Sequence, residues 1–168
     1  AGSMARDSVT NASSVVRMIT GKNLSDYDVH VNVVGGGNID GPSAGAAITC
    51  AIISALTGKP LRQDIAVTGE ISLSGRIKPV GGIAEKAFGA HQGGMKAILI
   101  PKQNALDMGS EYMHMKVIPV DTIQDILEHM LVRKKQKMKG SKECHRKKQR
   151  NGTDAMTAEE ILPLIICW

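Results

Sequence analysis

The sequence has 168 residues and a mass of 17.9 kDa, a length that suits one compact domain better than two. Aromatic residues make up only 2% of it, which nearly excludes nucleic-acid binding by base stacking on aromatic side chains. The net charge of +5 comes from one segment: residues 1–132 carry 11 Lys and Arg against 12 Asp and Glu, whereas residues 133–150 carry 10 against 1.

The sequence does not predict a membrane protein or a metal-binding protein. No stretch approaches the roughly 18 apolar residues of a membrane span, and no basic-then-apolar segment resembles a secretory signal. We therefore expect a soluble, cytoplasmic protein. Cys50, Cys144 and Cys167 are odd in number and widely separated, so the sequence predicts neither a disulfide framework nor a metal site.

The chain divides into three segments by composition. Residues 1–3 precede Met4 and have the character of a cloning remnant, residues 4–132 form the organised domain, and residues 133–168 form a tail. The tail is basic and lacks apolar periodicity, so disorder is its simplest interpretation. Its Lys and Arg residues could neutralise phosphates, and we expect no nucleic-acid contact outside this tail.

The first half of the domain predicts a helix, a strand and a buried helix. Apolar residues recur at helical spacing from Val9 to Ile19, and Gly21 follows as a helix cap. Alternating valines predict a strand around residues 29–33, which leads into a glycine run at 35–37. Residues 44–56 are apolar on nearly every face, which is typical of a buried helix beginning at or just after Ser43.

The second half predicts alternating strands and helices with one hairpin. The predicted strands cover residues 65–68, 71–73, 77–80, 96–100 and 115–118, and the predicted helices cover 83–92, a turn at 104–108, and a last helix opened by a capping box of Thr122 and Asp125. The last helix should bury Ile123, Ile126, Leu127, Met130 and Leu131. This order predicts an α+β or mixed α/β fold.

Ser43 is a candidate nucleophile at the start of the buried helix. It follows Gly41-Pro42, so its hydroxyl should project from a turn beside the unpaired N–H groups of the first helical turn. Those N–H groups could receive the oxyanion of a tetrahedral intermediate. The structural alternative is that Ser43 simply caps the helix, since serine is a favoured N-cap residue.

Lys86 is the candidate base, because no histidine is well placed to serve Ser43. It lies early in the helix predicted after Gly81-Gly82, among apolar neighbours. A lysine can act as a base when its ammonium is desolvated enough to lose its proton part of the time. The structural alternative is an exposed pair of Glu85 and Lys86 on a helix surface.

Several separated motifs resemble the protease domain of Lon, the ATP-dependent protease, over about residues 4–131. They are Asp40-Gly41-Pro42-Ser43-Ala44-Gly45, Thr68-Gly69-Glu70-Ile71-Ser72, and Gly75-x-Ile77-x-Pro79-Val80-Gly81-Gly82-Ile83-x-x-Lys86. The glycine-rich residues 34–39 depart from the more usual Pro-Lys before Asp40 and are more similar to the Lon-B or a Lon-like branch.

The resemblance implies a role for each matching residue. Ser43 corresponds to the family nucleophile and Lys86 to its partner, while Thr68 corresponds to the threonine that orients the lysine. Asp40 corresponds to an acidic residue linked to active and inactive arrangements of the serine loop. The rest of the serine motif is formed by Gly41, Pro42 and Ala44.

The resemblance also implies an α+β Lon protease domain similar to the ribosomal protein S5 domain 2-like fold. Its substrates would be polypeptides, and the domain itself would need no cofactor. Family members normally carry an AAA+ ATPase module before this domain, so we expect the chain to be a fragment of a parent that uses ATP and Mg and forms a homo-hexameric ring.

Two other function classes remain open on the sequence alone. The C-terminal domain of the bacterial RadA recombination protein shares the fold and a similar stretch at residues 31–36, which would make the chain a non-catalytic scaffold or ring-forming domain. A glycine-rich loop entering a helix is also how small-molecule kinases of a related fold hold phosphate. The presence of both Ser43 and Lys86 favours the enzyme.

Overall fold

Helix α1 (Ser3–Thr20) opens the computed structural model, which describes residues 3–31, 41–107 and 115–132. The predicted cap is confirmed: Gly21 adopts φ 71°, and its N–H donates to the Arg17 carbonyl oxygen at 2.9 Å. A short 3-10 helix follows at Leu24–Asp26. The apolar face of α1 is buried, as the helical spacing predicted.

The strand predicted around residues 29–33 is wrong where it can be examined. Residues 28–31 have no regular secondary structure, and Val29 and Val31 are 38% and 43% exposed. Alternation of valines favours a strand only where a neighbouring strand supplies hydrogen bonds and a covering layer. Val33, the glycine run at 35–37 and Asp40 lie outside the described residues, as do Met108, the tail at 133–168 and residues 1–2.

The buried helix is confirmed. A 3-10 turn at Pro42–Ala44 leads into α2 (Gly45–Thr57), most of which is inaccessible to solvent. Gly58 ends α2 in the left-handed conformation with φ 62°.

The remaining elements alternate along the chain, close to their predicted bounds. They are β1 (Ile65–Val67), β2 (Glu70–Ile71), β3 (Ile77–Lys78), α3 (Ile83–Gln92), β4 (Ala97–Pro101), a 3-10 helix (Lys102–Asp107), β5 (Lys116–Val120) and α4 (Ile123–Met130). The capping box of α4 is present, with Thr122 and Asp125 each accepting from the other's backbone N–H. The predicted side chains of α4 are buried, and Leu131 after it is partly buried.

The strands form a parallel sheet and a hairpin. Strands β1, β4 and β5 are parallel in the order β1-β4-β5, and β2 pairs antiparallel with β3. Because a strand sends alternate side chains to opposite faces, Ile65 and Val67 join one core with α1, α2 and α4, whereas Ala66 joins another with α3. Helices α2 and α3 therefore cover opposite faces of β1.

The described architecture is a mixed α/β arrangement compatible with the α+β prediction. No helix within residues 3–31, 41–107 and 115–132 is long and apolar enough to cross a membrane.

Candidate active site

Ser43 lies in a turn that the backbone holds without help from its hydroxyl. Gly41 is extended, with φ −154° and ψ 160°, and Pro42 begins the 3-10 turn, where its missing N–H costs nothing. The N-cap position of α2 is Ala44, and this helix start has no side-chain capping bond. The alternative interpretation of Ser43 as the N-cap is therefore wrong, and the half-buried hydroxyl is not committed to the helix.

The turn is tied to the residues that follow β1. The Gly69 N–H donates to the Ser43 carbonyl oxygen at 3.0 Å, and the Ala46 N–H donates to the Gly69 carbonyl oxygen at 3.1 Å. The hydroxyl of fully buried Thr68 also donates to the Ser43 carbonyl oxygen, at 3.5 Å. Thr68 therefore lies beside the serine turn, while its role in orienting Lys86 stays a prediction.

The expected oxyanion donors are fewer than the sequence predicted. The Gly45 N–H donates to the Pro42 carbonyl oxygen, and the Ala46 N–H is used by Gly69. The general rule leaves the first N–H groups of a helix without intrahelical partners, but here the 3-10 turn and the β1 connection supply partners. The Gly45 and Ala46 N–H groups are therefore already engaged and are not open donors for an oxyanion in this arrangement.

Lys86 lies in the first turn of α3 and is half-buried, whereas the neighbouring Glu85 is exposed. Among the described residues, the hydrogen bond of its Nζ goes to the Gly81 carbonyl oxygen at 2.7 Å rather than to Glu85 or Ser43. Its own N–H donates to the Gly82 carbonyl oxygen at 3.0 Å. The alternative of an exposed Glu85–Lys86 surface pair does not describe this arrangement.

No hydrogen bond joins Ser43 to Lys86 in the part of the chain that the structure describes, but both segments are connected to the carboxyl end of β1. Helix α3 belongs to the crossover between parallel strands β1 and β4, which the chain enters from the carboxyl end of β1 through the β2–β3 hairpin. The Ser43 turn is bonded to Gly69 at that same end. In α/β sheets, this edge is where functional side chains converge.

Cys50 does not compete with Ser43 as a nucleophile. It lies on α2 with no exposed surface, and burial raises the pKa of its thiol to about 12. The reactive form of a cysteine is the thiolate, so this thiol should be inert in the folded chain.

Asn104 is a buried polar residue near this edge that the sequence did not single out. Its side-chain Oδ1 accepts from the Val80 N–H at 2.9 Å, and its Nδ2 donates to the Val80 carbonyl oxygen at 3.1 Å. The two residues are 24 positions apart, so no local pattern could have predicted the pair. Asp40 lies outside the described residues. In the part of the chain that the structure describes, no cluster of His, Cys, Asp and Glu could hold a metal ion.

Comparison with protein families gives a match over most of the chain. The model described as Lon protease (S16) C-terminal proteolytic domain matches residues 1–133.

Curated relatives are similar over the same region. Over 132 residues, the chain is 40% identical to an "Archaeal Lon protease" of Archaeoglobus fulgidus, covering 76% of this chain and 21% of the relative. "Lon protease 2" of Bacillus subtilis is 43% identical over 130 residues, with 77% and 23% covered, and "Lon protease" of Brucella suis is 41% identical over 139 residues, with 76% and 17% covered. The chain thus spans about a fifth of these relatives' length.

Proposed function

The chain belongs to the Lon protease C-terminal proteolytic domain family, and we propose from this premise that it is a serine endopeptidase domain acting on unfolded or damaged polypeptides. In this proposal Ser43 is the nucleophile and Lys86 its base. The observation that supports it is that the Ser43 turn is bonded to Gly69, just after β1, and that Lys86 lies in the first turn of α3, in the crossover that leaves the same end of β1.

Acylation is the first half of the proposed reaction. The uncharged Lys86 amine takes the hydroxyl proton as Ser43 Oγ forms a bond to the peptide carbonyl carbon. The Ser43 N–H stabilises the resulting oxyanion. Collapse of this intermediate breaks the carbon–nitrogen bond, and Lys86 Nζ returns its proton to the leaving amine.

Deacylation regenerates the serine. A water molecule attacks the ester carbon while Lys86 takes one of its protons, and the carbon–oxygen bond to Ser43 then breaks. The proton passes to Ser43 Oγ, so the dyad returns to its starting state and no cofactor is consumed.

The proposal requires the Lys86 head to reach Ser43 Oγ from its position beside Gly81. Its Nζ donates to the Gly81 carbonyl oxygen at 2.7 Å, and an uncharged amine that gives one N–H to this carbonyl still has a lone pair for the Ser43 proton. The Gly81 carbonyl therefore orients the base, and the flexible four-carbon stem of lysine supplies the remaining movement without moving the helix. Thr68 supports this approach by holding the Ser43 turn, and Asp40 acts on the arrangement of the same loop.

The finer family properties belong to the same proposal. We propose that the fold is the Lon arrangement similar to the ribosomal protein S5 domain 2-like fold, and that the parent is a cytoplasmic homo-hexamer. Its ATP and Mg would serve an AAA+ unfolding module. The domain boundaries of residues 4–132 and the role of the tail at 133–168 stay predictions.

A peptide-cleavage assay tests the proposed function. The substrate is an unstructured, internally quenched peptide, and the variants are Ser43→Ala and Lys86→Met. Each has a matched control at an exposed position, Ser14→Ala on α1 and Lys116→Met on β5. We expect the two site variants to lose at least about 10³-fold in kcat/KM and the two controls to match the unchanged chain.

Two outcomes would count against the proposal. Cleavage by Ser43→Ala at the rate of the unchanged chain would show that Ser43 is not the nucleophile. Absence of cleavage by the unchanged chain, together with thermal stabilisation by nucleotide, would favour the phosphate-binding alternative, and absence of both would favour the scaffold.

A further inference from the structure

Asn104 makes a two-point hydrogen-bond clamp on the backbone of Val80. It lies in the 3-10 helix Lys102–Asp107 after β4 and is only 6% exposed. Both polar ends of its amide engage Val80, with distances of 2.9 Å to the N–H and 3.1 Å to the carbonyl oxygen. The amide therefore bonds to this residue as a neighbouring strand would.

The clamp holds the chain immediately before the acceptor of Lys86. Val80 is followed by Gly81, whose carbonyl oxygen accepts from Lys86 Nζ, and then by Gly82, the N-cap residue of α3, with φ 65°. On the far side, the Lys86 N–H donates to the Gly82 carbonyl oxygen at 3.0 Å. The Gly81 peptide is thus fixed from both ends.

The clamp matters for the direction of the Gly81 carbonyl because two consecutive glycines follow Val80. Glycine has no Cβ and reaches many backbone conformations, so Gly81-Gly82 alone would not hold the Gly81 carbonyl in one direction. A buried side-chain amide with both ends bonded is costly to displace, because its polar atoms would lose partners away from water. Asn104 supplies the constraint that the glycine pair lacks.

We infer that Asn104 is a positioning residue for Lys86: by clamping Val80 it sets where the Gly81 carbonyl holds the lysine head. This inference rests on the proposed function for its catalytic consequence, since Lys86 is the base only in that proposal. Asn104 does not touch substrate. Its effect passes through the backbone of residues 80–82.

The test uses Asn104→Leu, which keeps the approximate side-chain volume and removes both hydrogen bonds to Val80. Asn104→Asp is the second variant: ionised, it still accepts from the Val80 N–H but cannot donate to the Val80 carbonyl. The control is Gln63→Ala, because Gln63 is also a partly buried amide bonded to a backbone carbonyl, that of Leu61 at 3.2 Å, but lies before β1 at the opposite end of that strand.

Two readouts separate positioning from folding. The first is the acetylation rate of the Lys86 amine by an N-hydroxysuccinimide ester, measured by peptide mass spectrometry and divided by that of exposed Lys116. This readout needs no enzymatic activity. The second is peptide cleavage with kcat and KM resolved, on samples whose folded state is checked by urea unfolding.

We expect Asn104→Leu to raise the Lys86 to Lys116 labelling ratio several-fold and to lower kcat at least about ten-fold with little change in KM. For Asn104→Asp, the labelling ratio and kcat should lie between those of the unchanged chain and those of Asn104→Leu. Gln63→Ala should change neither readout. If Asn104→Leu does not fold, Asn104→Asp decides the question by the same ratio.

The outcomes distinguish this inference from the proposed function. A folded Asn104 variant with an unchanged labelling ratio and unchanged kcat overturns the inference, even when cleavage still requires Ser43 and Lys86. A raised labelling ratio in a chain that cleaves no peptide supports the hold of Asn104 on Lys86 and overturns the proposed function instead.

Discussion

The Gly69 N–H donates to the Ser43 carbonyl oxygen at 3.0 Å, so the candidate nucleophile is anchored to the residue pair that follows β1. Gly69 returns the contact by accepting from the Ala46 N–H one turn later. The two bonds hold the start of α2 against the sheet. The position of Ser43 is therefore set by the carboxyl end of β1 and not by a helix-capping side chain.

Thr68 should matter more for activity than for stability. Its hydroxyl donates to the Ser43 carbonyl oxygen at 3.5 Å, a long bond, and that oxygen keeps the Gly69 N–H as a second donor. Thr68→Val should therefore change the free energy of unfolding by only about 1 kcal/mol or less. We expect peptide cleavage to fall about ten-fold or more, because the serine turn loses a constraint.

Thr68→Ser is the matched control for this prediction. It keeps the hydroxyl but removes a fully buried methyl group, which should cost roughly 1 kcal/mol of stability. Thr68→Ser should thus be the more active of the two variants although it is no more stable than Thr68→Val. Peptide cleavage by Thr68→Ser that is no faster than cleavage by Thr68→Val, with both variants shown to be folded by urea unfolding, would contradict the assigned role of the hydroxyl.

Gly45 and Gly89 should respond to alanine with opposite signs. A Cβ on Gly45 would lie 2.9 Å from Ile71 Cγ2 and 3.1 Å from the Ile71 backbone nitrogen, whereas a Cβ on Gly89 meets nothing within 4 Å. Gly45→Ala should destabilise the domain by roughly 1–3 kcal/mol through this overlap. Gly89→Ala, in α3, should stabilise it by roughly 0.5–1 kcal/mol.

Denaturant unfolding of both glycine variants gives the comparison. Equal stability changes would show that the start of α2 is not packed against Ile71 as described.

The capping box of α4 should make stability depend on acidity. The Asp121 and Thr122 N–H groups donate to Asp125 Oδ2 at 3.0 and 2.9 Å, and these bonds hold the Asp125 pKa below the ordinary 3.8. A carboxyl with a lowered pKa stabilises the fold above its ordinary value, and this stabilisation is lost as the pH falls through the folded value. Asp125→Asn should cost about 1 kcal/mol at neutral pH.

Unfolding of the unchanged chain and of Asp125→Asn is then compared at neutral pH and at pH values below 3.8. We expect the difference in free energy of unfolding to shrink on acidification. A difference that stays constant or grows would show that the carboxylate charge is not what the cap uses.

Local patterns predicted the helices better than they predicted the strand at residues 29–33. Helix α3 begins and ends at the predicted residues, because glycine pairs stop the chain on both sides of an apolar periodicity. The capping box of α4 depends on side chains three residues apart and was predicted for the same reason. The strand predicted at Val29 and Val31 is wrong, because a strand depends on a partner that is distant in sequence and that local alternation does not reveal.

The candidate site likewise has a part that local motifs predicted and a part that depends on contacts between distant residues. Ser43 and Lys86 were identified from motifs, and the sequence could not say which N–H groups near Ser43 would already be bonded. The sequence did not indicate a role for Asn104, because its partner, Val80, is 24 residues away and becomes a neighbour only when the chain folds. Local sequence patterns do not predict side-chain contacts between segments that are distant in sequence.

Covalent labelling of Ser43 tests most directly whether Lys86 activates it. A fluorophosphonate is added to the unchanged chain, Ser43→Ala, Lys86→Met and the exposed control Lys116→Met, and adducts are located by peptide mass spectrometry. We predict a single adduct on Ser43 that forms faster as pH rises, no adduct at this position in Ser43→Ala, and labelling slowed at least about 10²-fold in Lys86→Met but unchanged in Lys116→Met. Labelling of Ser43 in Lys86→Met at the rate of the unchanged chain would contradict the dyad.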